Sequence, residues 1–190
     1  MPSLSPPAEL LLALSRVSTE LGIGWFVFGA QAVLYWGRPR LTEDVDVTVQ
    51  LGPVATRDFV TRMERAGFAL RVEGTPTFIS QTRVVPFEFG STGWALDVVL
   101  GGPGLEEDFL TRAIPTEVAP GVVVPFISPE DLIVTKLLAG RPKDLEDVRG
   151  ILSAQAGHLD IVAIRRLLGM LEDALGVSDL RPAFEALVRS

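Results

Sequence analysis

The 190-residue chain contains no cysteine and a single histidine, His158. Without thiols it can form no disulfide framework, no thiolate metal site and no cysteine nucleophile. One imidazole cannot build a histidine-clustered zinc site. Lysine is scarce too, present only at Lys136 and Lys143, so a lysine inside a motif needs its own explanation. The 17 basic and 24 acidic residues give a net charge of -7, which works against holding nucleic acid by charge over the whole surface but leaves room for a local basic patch. No stretch approaches the roughly 18 consecutive apolar residues of a membrane span. The N-terminal MPSLSPPAELLLALSRVSTE has no basic leader, and Glu9, Ser15 and Arg16 interrupt its apolar residues. The sequence therefore predicts no signal peptide, no membrane partner and a cytoplasmic location.

What is present describes a folded chain: 47% of residues are hydrophobic and the mean hydropathy is +0.34, enough for one domain or one domain with a helical annex. Helical spacing predicts a first helix from about Pro6 to Leu21, ended by Gly22. A short buried strand, Ile23 to Phe28, leads through Gly29 into a helix over Ala30 to Trp36. A strand from Asp44 to Val49 and an amphipathic helix from Pro53 to Ala66 follow. Four further strands are expected at Phe68 to Val72, Thr77 to Ser80, Val84 to Phe89 and Trp94 to Leu100. A short helix is expected at Leu105 to Arg112 and a strand at Val122 to Ile127. From Ser128, an N-cap residue followed by proline, everything reads as helix: 129–139, about 143–154, about 160–173 and about 178–188. The predicted division is an α/β part over 1–127 and a helical part over 128–190.

Within DVDVTV, the period of two puts Asp44, Asp46 and Thr48 on one face and Val45, Val47 and Val49 on the other. Carboxylates two residues apart on a strand can converge on hard divalent cations such as magnesium. A third on an adjacent strand would complete a site for two of them, and Asp97, the acid that interrupts WALDVVL, is the candidate. A D-x-D pair taken alone is usually just solvated strand surface, and Asp97 alone is compatible with a strand-end carboxylate or an arginine partner. The setting adds strand, glycine, short helix and loop before the acids, so that N–H groups at Gly29 and the helix start can face phosphate oxygens. A plain strand-to-helix turn remains the other reading of Gly29.

At FGAQAVLYWGRPRLTEDVDV the sequence resembles the nucleotidyltransferase superfamily that includes DNA polymerase beta, whose hallmark is a Gly-Gly or Gly-Ser pair, a helix and then an acidic pair. It is most similar to the minimal nucleotidyltransferases, among them the AbiEii-like toxins, through R-x-T-x-D-x-D (Arg40, Thr42, Asp44, Asp46), the later Asp97 and the helical SPEDLIVTKLLAGRPKDLEDV. The resemblance covers roughly residues 23 to 150. It implies an α+β fold, a nucleotidyltransferase-like mixed sheet with flanking helices followed by a C-terminal helical bundle that closes one side of the cleft. It also implies two magnesium ions at Asp44, Asp46 and Asp97 and a nucleoside triphosphate as substrate. Gly29, Ala30, Arg40 and Thr42 would bind the nucleotide, together with Lys136, Asp144 and Asp147 carried over from the K-x-x-x-x-R-x-K-D-x-x-D segment. Lys136 would meet phosphates or the charge developing in the transition state. Without the resemblance, Lys143 and Asp147 could form an ordinary i, i+4 pair on a helix.

Ala30 stands where many active members carry serine or glycine. Alanine keeps the backbone N–H and lacks a hydroxyl for phosphate, leaving Gln31, Arg40 and Thr42 to compensate. The implied reaction moves a nucleoside monophosphate onto RNA or tRNA, a protein or a small molecule, with a cognate antitoxin as partner. The alternative is a non-catalytic nucleotide- or partner-binding protein that keeps the fold.

Overall fold

The structure is a computed structural model, and it describes residues 4–71 and 75–189. They fall into two compact units. One runs to Gln31 and resumes over Leu41–Ile127; the other takes Ala32–Arg40 and the chain from Ser128 onward.

The first unit is built on a sheet. Its strands are β1 (Gly24–Phe28), β2 (Asp44–Gln50), β3 (Phe68–Leu70), β4 (Val84–Phe89), β5 (Trp94–Leu100), β6 (Ile114–Ala119) and β7 (Val122–Phe126), in the order β3-β4-β5-β2-β1-β7-β6. The sheet is mixed: β2 runs parallel to β5 and β1 parallel to β7, while the other neighbours are antiparallel. The helices α1 (Pro6–Leu21), α3 (Thr56–Arg65), α4 (Pro76–Thr82) and α5 (Leu105–Thr111) belong to this unit, and α2 (Gly29–Trp36) starts in it.

Side-chain alternation separates the two faces of the sheet. Val45, Val47 and Val49 of β2 share a face with Leu96 and Val98 of β5, Val85 and Phe87 of β4 and Val27 of β1, and all are fully buried. Leu10, Leu14 and Val17 of α1 and Phe59 and Met63 of α3 are buried with them, and Phe59 meets Phe87 edge to face. The opposite face carries Asp44, Asp46, Asp97, Pro86 and Glu88, with Phe26 covered by Phe109 of α5. Burying apolar area on one face thus fixes which way the acids point, because a one-residue slip would exchange the faces.

Two expectations are corrected. Thr77 to Ser80, with its aromatic and β-branched residues, was expected as a strand; it lies inside α4. Pro76 takes the first helical position and the Thr75 hydroxyl accepts from the N–H of Phe78 at 3.2 Å, so a start signal overrides strand propensity. The second correction is β6, a strand where no element was expected. Three of its six residues are exposed, none is buried, and they lack an apolar alternation. It pairs with β7 as an edge strand, whose open side tolerates Pro115 without losing a ladder bond. Helix α3 begins at Thr56 rather than Pro53, after a turn closed by Val54 N–H to the carbonyl of Leu51 at 2.9 Å. Val72, the last residue of the expected third strand, lies outside the described residues.

The second unit is a helical bundle of α6 (Pro129–Ala139), α7 (Pro142–Ala154), α8 (Ile161–Leu175) and α9 (Leu180–Val188). Ser128 caps α6, its hydroxyl accepting from the N–H of Asp131 at 3.1 Å. The core includes Leu132, Ile133, Val148, Ile151, Ile164, Leu168 and Phe184. Residues 32–40 join it from a distant part of the sequence. Gln155 donates to the carbonyl of Trp36 at 3.2 Å, and a β-carbon at Gly150 would come within 3.2 Å of the Arg38 nitrogen. The fold is therefore a mixed α+β sheet with flanking helices followed by a C-terminal helical bundle. Among the described residues no helix is long and apolar enough to cross a membrane.

Candidate functional site

The chain is tightly packed where β1 passes into α2. The antiparallel register sets Phe28 opposite Asp46, so the next residue, Gly29, passes directly over that carboxylate. Its φ is +64°, in the left-handed region that favours glycine. A β-carbon added there would sit 2.8 Å from the Asp46 carboxyl carbon and 2.9 Å from its β-carbon. Backbone conformation and space both require glycine, and the result is a helix start laid against a carboxylate.

Asp46 and Asp97 are partners in the parallel β2–β5 register, and Asp44 lies two residues along the same face. Side chains hold this arrangement. The Thr42 hydroxyl donates to Asp44 Oδ1 at 2.5 Å, and the buried Gln31 amide donates to the Asp44 carbonyl at 3.3 Å. Thr42 and Gln31 thereby fix the entry to β2 from two sides. Ala30 is buried. The Asp97 carboxylate is engaged by the guanidinium of Arg71.

The expected residues of the helical unit form a separate group. Lys136 on α6 donates to Asp144 Oδ1 at 3.1 Å and to Asp147 Oδ2 at 2.8 Å, both on α7. Arg40 forks onto Asp147 at 3.1 and 3.4 Å, and Arg141 onto Asp144 at 2.5 and 3.3 Å. The five groups alternate in sign in the order Arg141, Asp144, Lys136, Asp147, Arg40. Lys136, Asp144 and Asp147 are buried, so each charge inside has partners that offset its loss of water. Burial by itself would raise the Asp144 carboxyl, yet hydrogen bonds from Arg141 and Lys136 and their positive charges hold it below the ordinary carboxylate range. Lys136, expected at phosphates, thus spends two of its three donors on carboxylates.

The structure brings Gly29, Ala30, Thr42, Asp44, Asp46 and Asp97 together in one unit, and Arg40, Lys136, Asp144 and Asp147 in the other. The residue that sequence reasoning passed over is Arg71. Its N–H donates to the carbonyl of Pro86 at 3.0 Å, and Pro86 faces Asp97 across the β4–β5 pair. Arg71, just past the end of β3, therefore lies in one row with Pro86 of β4 and Asp97 of β5, and the short proline ring lets the long arginine reach over it. The signal was strand order, which a single sequence does not display.

Three carboxylates on one sheet face, with a glycine cradle against the middle one, are the donor chemistry of a magnesium ion. The residues fit such an ion in type and in register. Among the described residues no group of three or more acids is gathered as a ready cluster; Asp97 is held by Arg71 and Asp44 by Thr42.

Residues 13–183 match the family model described as "Nucleotidyl transferase AbiEii toxin, Type IV TA system". No curated protein matches the chain significantly. The fold is similar to that of the antibiotic-resistance factor ANT(2'')-Ia. Its solution structure aligns with a TM-score of 0.56 and 16% identity over 90% of this chain and 95% of that one. Its crystal structure in complex with adenylyl-2''-tobramycin gives 0.59 and 16% over 90% and 99%. An antigenic nucleotidyltransferase-like protein from Paracoccidioides brasiliensis is similar with a TM-score of 0.57 and 18% identity over 98% and 94% of the two chains.

Proposed function

The chain belongs to the AbiEii nucleotidyl transferase toxin family, and from that premise we propose that it transfers a nucleoside monophosphate from a nucleoside triphosphate to an acceptor oxygen. An oxygen of the acceptor bonds to the α-phosphorus, the bond from that phosphorus to pyrophosphate breaks, and the acceptor loses its proton. The observation that carries the reading is Gly29, which lays the start of α2 on the carboxylate of Asp46 beside the in-register Asp97.

Asp44, Asp46 and Asp97 would hold magnesium, which when bound supplies charge stabilisation for the phosphates and activation of the acceptor hydroxyl. The N–H groups at the start of α2 orient the triphosphate, since the positive end of a helix favours anions. Ala30 contributes only its N–H, so the phosphate contact that a hydroxyl would give is absent there. Thr42 and Gln31 keep the first aspartate of the strand in place. Arg40, Lys136, Asp144 and Asp147 are carried over as nucleotide-binding residues from the family resemblance; within the helical unit they hold one another.

The acceptor is a cellular macromolecule, RNA such as tRNA or a protein, as befits a toxin, with a cognate antitoxin as its partner. A small-molecule acceptor is the competing choice, motivated by the adenylyl-tobramycin bound to ANT(2'')-Ia. A second reading, a nucleotide-binding protein without turnover, draws on Ala30 and on the Arg71–Asp97 ion pair. Incubation with each labelled nucleoside triphosphate, magnesium and total RNA or cell extract tests all of these. The expected result is a labelled macromolecule that disappears with Asp46→Asn. Label retained in that variant refutes the assignment, and nucleotide binding without transfer favours the second reading.

A further inference from the structure

We infer that Arg71 is a positioning residue that competes with the divalent cation for Asp97, so that metal is bound only by displacing an internal guanidinium. The inference rests on the reading of Asp44, Asp46 and Asp97 as the metal site. It explains why three acids placed together by the strand register are not gathered as a cluster.

The geometry is specific. The pairings of Leu70 with Phe87 and of Pro86 with Asp97, continued by the bond from the Arg71 N–H to the Pro86 carbonyl, put Arg71 on the same face as the acids. Arg71 also follows the last residue of the edge strand β3, and Pro86 has no N–H to return a second ladder bond to it. The backbone at Arg71 is therefore less tied than at the strand interior, while its side chain crosses Pro86 to reach the carboxylate. The pair is half-buried, with side-chain exposures of 29% for Arg71 and 31% for Asp97. Such a pair is partly shielded from water and salt, unlike a fully exposed one.

A guanidinium and a metal ion need the same carboxylate oxygens. A stronger cation, or a ligand anion that recruits the guanidinium, would release Asp97 from it. A nucleotide carries both, a bound cation and phosphate oxygens that suit arginine's fork. Arg71 therefore lowers affinity for metal alone and makes nucleotide and metal bind together. The carboxylates are compensated until substrate arrives.

The test measures manganese binding to the full chain by electron paramagnetic resonance, with and without a non-hydrolysable nucleoside triphosphate. Circular dichroism melts serve as a folding control. For Arg71→Gln without nucleotide, the expected result is manganese affinity about 3- to 10-fold tighter than wild type, the range set by a partly buried ion pair. Arg71→Lys keeps the charge and should stay near wild type. In an Asp97→Asn background the substitution of Arg71 should change nothing. Manganese binding that is unchanged or weaker in a folded Arg71→Gln overturns the inference while leaving the metal site intact. Tightening that persists in Asp97→Asn overturns it as well. If no form binds manganese with or without nucleotide, the metal-site reading itself falls and the inference with it.

Discussion

At residue scale the most constrained position is Gly29. Its substitution by alanine must both strain a backbone at φ +64° and push against the Asp46 side chain, together worth about 1–3 kcal/mol. Gly29→Ala should melt lower than wild type and lose manganese affinity in the same step, checked by thermal denaturation and metal titration. The five-membered charge row makes a different prediction. Removing Lys136 leaves two buried carboxylates held only from their outer sides by Arg40 and Arg141, so Lys136→Met should cost about 3 kcal/mol in urea unfolding. Adding Asp147→Leu should recover part of that loss, because an apolar pair needs no compensation. Asp144 sets a pH dependence. Its folded value is lowered against an unfolded value of about 3.9, so its contribution is fully present above about pH 4 and is lost as pH falls through the folded value. The stability gap between wild type and Asp144→Asn should accordingly narrow in acid, measured by urea unfolding at stepped pH. Asp44, Asp46 and Asp97 were legible as residues because alternation is a local property. Arg71 was not, because it meets Asp97 through two strand pairings that no local pattern encodes.

At element scale, helix starts were the most readable features. Ser128 with Pro129 announced α6, and the cap is present in the structure. Ser128 is itself buried, so Ser128→Ala should cost about 1–2 kcal/mol, visible as a lower thermal midpoint with an unchanged circular dichroism spectrum. The same chemistry misled at α4. Thr75 and Pro76 carry an equivalent start signal, but the apolar Phe78 and Ile79 read as strand, and in so short a segment the cap decides. The expected strands at 84–89 and 94–100 match β4 and β5, whose buried faces impose alternation. β6 escaped notice for the converse reason. An edge strand in which no residue is buried has no buried face to alternate about, and its antiparallel partner β7 defines it.

At the scale of the whole molecule the chain passes between its two units three times, after Gln31, after Arg40 and after Ile127. Sequence reasoning divided it once, at 127, because composition changes there; the contribution of 32–40 to the helical unit depends on packing against Gly150 and Gln155 and leaves no compositional mark. A fragment beginning at Ser128 would lack Arg40 and its fork onto Asp147. It should show less helix by circular dichroism than the same segment in the full chain, and adding a peptide of residues 32–40 should restore part of it. Arg40 and Asp147 are 107 positions apart. During translation, at about 5–20 residues per second, the arginine waits on the order of 5–20 seconds for the aspartate to be made. The charge row therefore closes later than the pairing of β1 with β2, and a ribosome stalled before residue 147 holds a chain in which Arg40 and Lys136 still lack that carboxylate.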